Sequence, residues 1–115
     1  MAYNETLSLR IAEQLMDQKI PFEEKKMFGG IAFMINDKMC IGVLKDEIML
    51  RVMDEHYESL LEINHVKPME FTGRTMHGFL FIEEPAYHQD KALRRWIAYA
   101  QEFGEKGVVK SKKKK

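Results

Sequence analysis

Leu7, Ile11 and Leu15 recur at intervals of four, with Ala12 beside them and Asn4 just ahead as an N-cap. That spacing predicts one face of an amphipathic helix over roughly residues 5–18, and Pro21 blocks its continuation. Three short apolar runs follow, IAFMI, MCIGVL and IMLRV, joined by Asn36-Asp37 and Lys45-Asp46. Asn and Asp tolerate the left-handed backbone of tight turns, so the two-residue connectors predict a three-stranded antiparallel meander. Asp54 is a cap for a short helix with Tyr57, Leu60 and Leu61 on its buried side. Two more strands, KPMEF and GFLFIE, flank a loop around Thr72-Gly73-Arg74, and Pro85 ends the second. A last helix over roughly residues 88–103 presents Leu93, Trp96, Ile97 and Ala100 on one face, with Gly104 as its C-cap. The order α-β-β-β-α-β-β-α is that of an α+β domain with helices on an antiparallel sheet.

Cross-strand partners share a face, so two-residue turns predict the two surfaces of the meander. The first hairpin pairs Met34 with Met39, Phe33 with Cys40 and Ala32 with Ile41. The second pairs Val43 with Ile48, Ile41 with Leu50, Met39 with Val52 and Cys40 with Arg51. One face then holds Ala32, Met34, Met39, Ile41, Val43, Ile48, Leu50 and Val52, has no charge, and is expected to pack on the helices. The other mixes Ile31, Phe33, Ile35, Cys40, Leu44 and Met49 with Lys38, Glu47 and Arg51. It is too apolar for plain exposure and too charged for a deep core, which points to a contact surface for a second copy of the chain. Cover by segments before Ile31 or after Gly104 is the alternative. A turn longer by one residue would swap one strand's faces.

Composition narrows the class. With 115 residues, 45% of them hydrophobic, the chain fits one domain with one core. No apolar run is long enough for a membrane span, and MAYNETLSLR has no apolar signal core, so a cytoplasmic protein is expected. The single cysteine, Cys40, agrees with a reducing compartment. A net charge of zero hides an asymmetry: the six lysines from Lys106 onward leave 12 basic against 18 acidic residues over 1–105, a net charge of about −6. An acidic body is poorly suited to nucleic-acid phosphates. Residues 106–115 read as a disordered lysine-rich tail with at most weak affinity for polyanions, set apart from a domain over 1–105.

Candidate chemistry is sparse. Gly29-Gly30, in KKMFGGIAF, leads into a strand with its lysines ahead of it, whereas a phosphate loop needs Lys and Ser or Thr after the glycines at a helix N-terminus. A tight bend or bulge at a strand start explains the pair better. His56, His65, His77 and His88 lie on separate elements without ligand spacing, so no zinc site is expected. Cys40 would face Arg51, and a nearby cation lowers a thiol pKa, yet no histidine is placed to act as its base. Glu23-Glu24 and Glu83-Glu84 are adjacent, and on strands their side chains diverge. Arg74, in the polar loop Thr72-Gly73-Arg74-Thr75, is a candidate anion contact. Nine methionines suit either an irregular core or an adaptable surface.

The stretches KKMFGGIAFMINDKMCIGV, EIMLRV, KPMEFTGRTMHGFLFI and LRRWIAYA resemble the N-terminal domain of the TfoX/Sxy family, over roughly residues 5–103. MFGG before a hairpin, the PM…F.GR.M.G strand pair and a tryptophan in the last helix carry the resemblance. It implies an α-β3-α-β2-α fold like that of secretion chaperones, homodimers, and a role in bacterial competence and transcription regulation beside other regulatory proteins. Full-length regulators of this kind carry a second, helical C-terminal domain, so a stand-alone N-terminal domain is expected here. The resemblance supplies no catalytic residues, metal or cofactor. The expected function is therefore a non-enzymatic, homodimeric interaction domain using Ile31, Phe33, Ile35, Cys40, Leu44, Met49 and Arg51. A small-ligand binder or enzyme using Cys40, Arg51 and Arg74 on the open sheet face is the second reading. Weak nucleic-acid binding through the tail is the third.

Overall fold

Asn4 does cap the first helix, accepting a hydrogen bond from the Leu7 backbone N–H at 3.0 Å. The computed structural model describes residues 3–27, 29–71 and 73–107, the side chains of 27, 71 and 74–76 excepted. Helix α1 (Glu5–Asp17) is followed by strands β1 (Glu23–Met27), β2 (Gly30–Ile35), β3 (Lys38–Leu44) and β4 (Glu47–Arg51). Then come helix α2 (Asp54–Leu61), strands β5 (Val66–Phe71) and β6 (Arg74–Ile82), the one-turn helix α3 (Glu84–Tyr87) and α4 (Asp90–Lys106). All strands pair antiparallel in one sheet of order β1-β2-β3-β4-β6-β5. The α+β class is the expected one.

Four elements depart from the sequence reading, among them the one-turn helix α3, which it does not predict. Strand β1, to which the sequence reading assigns no element, is a sixth strand: EEKKM has no apolar period, and pairing with β2 makes it extended. Its exposed charges and Pro68 on β5 protect the two sheet edges from further pairing. Gly29-Gly30 closes the β1–β2 hairpin, with Gly29 at φ +77°. A Cβ on Gly30 would stand 2.2 Å from the Val43 carbonyl oxygen, so only glycine fits there. Helix α2 is capped by Met53 rather than Asp54, which is its first residue. Helix α4 does not stop at Gly104 but runs through Lys106 to a C-cap at Gly107. The lysine-rich segment thus begins inside a helix, and residues 108–115 lie outside the described residues.

The Asn36-Asp37 turn is as short as predicted, with φ of 54° and 65°, yet the β2–β3 register is not the predicted one. Met34 pairs with Met39, whereas Phe33 pairs with Ile41, leaving Cys40 as the unpaired extra residue of a bulge. Beyond it β2 is shifted by one residue against β3, and its faces exchange. Ile31, Phe33, Ile41, Val43, Ile48, Leu50, Leu80 and Ile82 now form one face. They share a core with Leu7, Ile11 and Leu15 of α1, Tyr57 and Leu60 of α2, and Leu93, Trp96, Ile97 and Ala100 of α4. The helical faces are those read from the spacing. No helix among the described residues is long and apolar enough to cross a membrane.

Candidate functional site

Of the seven predicted contact residues, Ile31, Phe33, Ile35 and Cys40 are buried in the core beneath the helices. Leu44, Met49 and Arg51 lie on the opposite face, because they share it with Glu47, Phe81 and Phe79 across the strands. The predicted surface therefore does not exist as one surface, and the bulge at Cys40 is the reason. The residues that join Leu44, Met49 and Arg51 are Ala32, Met34, Met39, Gly42, Phe79 and Phe81. Met34, Met39, Leu44, Phe79 and Phe81 are half-buried and stand outside the core cluster. Ala32 and Met49 are fully buried beneath them, and the Met49 methyl would be 3.0 Å from a Cβ on Gly42. An apolar band thus crosses the sheet face opposite the helical core, with Glu23, Lys25, Glu47 and Lys67 on the same face. Phe79 and Phe81, in the alternation GFLFI, were the available signal for this second apolar face.

Two electrostatic features bound what the site can do. Cys40 has no exposed surface, and its Sγ is 3.4 Å from the Lys38 carbonyl oxygen. Burial pushes its thiol up to about 11, and the opposing pull of Lys38 and Arg51 does not offset that. The thiol is protonated near neutral pH and inaccessible, so it is not poised as a nucleophile. Arg51 closes β4 with its Cζ 4.6 Å from the Phe79 ring centroid and 4.5 Å from that of Phe103 on α4. Burial lowers its pKa, while Cys40 and Asp54 act in the opposite direction. Its Nε is buried without a hydrogen-bond partner among the described residues. Arg74 opens β6, and its side chain lies outside the described residues.

Each histidine has a carboxylate close by. His88 Nδ1 is 2.7 Å from Glu84, His65 Nδ1 3.4 Å from Glu83, and His77 Nδ1 3.6 Å from Asp54. His56 Nε2 lies 2.9 Å from Glu102 and 3.8 Å from Glu55, with its ring edge-on to Tyr99. The Glu55, His56 and Glu102 ligand atoms all fall within 4.8 Å of one another. Sequence spacing could not show this cluster, because it joins α2 to α4 across 46 residues. Its evident work is a hydrogen-bonded tie between the two helices, aided by Lys106 at 3.9 Å from Glu102.

A six-stranded antiparallel sheet with its helices on one face, a glycine-closed first hairpin and an open apolar second face defines the class of domain. The chain belongs to the TfoX N-terminal domain family, whose model matches residues 13–104. No curated protein and no solved structure matches it.

Proposed function

We propose that this domain is a non-enzymatic protein-interaction module that works as a homodimer in the cytoplasm, in a regulatory role of the kind the TfoX family resemblance implies. The observation that carries the reading is the helix-free sheet face, where Met34, Met39, Leu44, Phe79 and Phe81 form a half-buried apolar band. Such bands mark contact surfaces, and their methionine and aromatic content is that of interfaces. The body carries a net charge of about −6 over residues 1–105, which favours a protein partner over nucleic acid.

Light scattering on the native chain and on Met34→Lys and Phe81→Lys tests it. The expected result is a native dimer and folded, monomeric variants, since a lysine inside an apolar contact loses its hydration without gaining a partner. A monomeric native chain, or variants that stay dimeric, would defeat the proposal.

A further inference from the structure

His56 Nε2, near the start of α2, faces two carboxylates at once: Glu102 on α4 at 2.9 Å and its own neighbour Glu55 at 3.8 Å. All three ligand atoms lie within 4.8 Å of one another. Ligands about 2.1 Å from a zinc ion stand about 3.0–3.4 Å apart, so small movements would let one ion touch all three. His56 and Glu102 are half-buried and Glu55 is exposed, which leaves the ion a way in and one arm free to close on it. The edge-on Tyr99 ring, with centroids 5.0 Å apart, steadies the imidazole. Lys106 approaches the other Glu102 oxygen, Oε2, at 3.9 Å from an exposed position and is free to swing away.

A hydrogen-bonded tie accounts for His56 and Glu102 but makes no use of Glu55, whose approach is too long for a hydrogen bond. Adjacent residues on a helix do not normally face each other, yet Glu55 turns its carboxylate toward the His56 nitrogen. We propose that Glu55, His56 and Glu102 bind a zinc ion that clamps α2 to α4. Two carboxylates balance the charge of the ion and outweigh the positive end of α2. The net charge of about −6 over residues 1–105 also favours a cation. The imidazole nitrogen selects zinc over magnesium and calcium, which prefer oxygen ligands. Zinc has no geometric preference of its own and accepts three protein ligands with water as the fourth. The site lies between helices, apart from the apolar band, and holds whether or not the chain dimerises.

The test is calorimetric titration with zinc chloride of the native chain, Glu55→Gln, His56→Ala and His88→Ala, with melting temperatures at saturation. His88, 2.7 Å from Glu84, controls for zinc held by an ordinary surface pair. The expected result is one ion per chain and a native melting temperature that zinc raises. Binding should weaken by about tenfold or more in Glu55→Gln and in His56→Ala, and stay unchanged in His88→Ala. Glu55→Gln leaves the hydrogen-bonded tie intact, so a cluster that serves only as a tie predicts no effect of this change on zinc affinity. Absence of native binding, one ion per two chains, or an unraised melting temperature would overturn the assignment. So would affinity unchanged in Glu55→Gln or in a folded His56→Ala, or lost in His88→Ala. If His56→Ala does not fold, Glu55→Gln decides, because its side chain is exposed.

Discussion

Gly104 lies so close to Ile35 that a Cβ on it would stand 2.6 Å from Ile35 Cγ2 and 2.9 Å from Ile35 Cβ. The same Cβ would meet Cys40 Sγ at 3.3 Å. The Gly104 carbonyl accepts hydrogen bonds from Asn36 Nδ2 at 2.9 Å and Lys38 Nζ at 3.0 Å. The last turns of α4 are thus seated on the β2–β3 turn by packing and by a cation near the helix C-terminus.

Gly104→Ala follows as the first test. Alanine gains about 1 kcal/mol in a helix interior, while overpacking costs about 1–3 kcal/mol. Ile35 Cβ is tied to the backbone and cannot swing away, so we expect a net loss of about 1–2 kcal/mol by urea denaturation. In an Ile35→Ala background, which removes Cγ2 but keeps the Cβ at 2.9 Å, the loss should be smaller. A stabilised single variant would contradict the close approach.

Phe33 and Met34 are neighbours on β2 with opposite fates. Phe33 is fully buried under the helices and Met34 half-buried on the open face. Phe33→Ala should cost about 3–5 kcal/mol and Met34→Ala no more than about 1 kcal/mol, measured in dilute solution. The unbulged register predicts the reverse order, so two denaturation curves decide which face meets the helices.

Alkaline pH tests the burial of Cys40. Its thiol would lose its proton near 9.0 when unfolded but holds it to about 11 when folded. The raised folded value means that its contribution is complete below pH 9 and is lost as pH rises through about 11. Tyr87, which burial raises from 10.0 to about 12 and which donates to the Asp46 carbonyl at 2.7 Å, adds a loss of the same sign over a higher range. Thermal melts should therefore fall steadily above pH 9, and Cys40→Ala should flatten the first part of that fall. Iodoacetamide should modify native Cys40 far more slowly than the denatured chain; equal rates would place the thiol at the surface.

Much of the secondary structure was legible because its signals are local. The spacing of Leu7, Ile11 and Leu15 and of Leu93, Trp96, Ile97 and Ala100 marked both long helices and their buried sides, as found. Asn36-Asp37 marked a turn whose positive φ angles require such residues. Strand β1 was not legible, because four charged residues are extended only through pairing with β2. Gly104 read as a helix end because glycine commonly ends helices, whereas here its missing side chain makes room for Ile35.

The candidate surface was the least legible part. Local pattern shows that β2 to β4 are apolar on both faces, and from Ile31, Phe33 and Ile35 against Ala32 and Met34 it cannot say which face turns inward. By itself the sequence determined an α+β domain, its helical faces, its turns and its family. Only the tertiary structure decided the two sheet faces. One unpaired residue, Cys40, fits into the core beside Gly104, and with a side-chain period of two that single insertion turns the rest of β2 over.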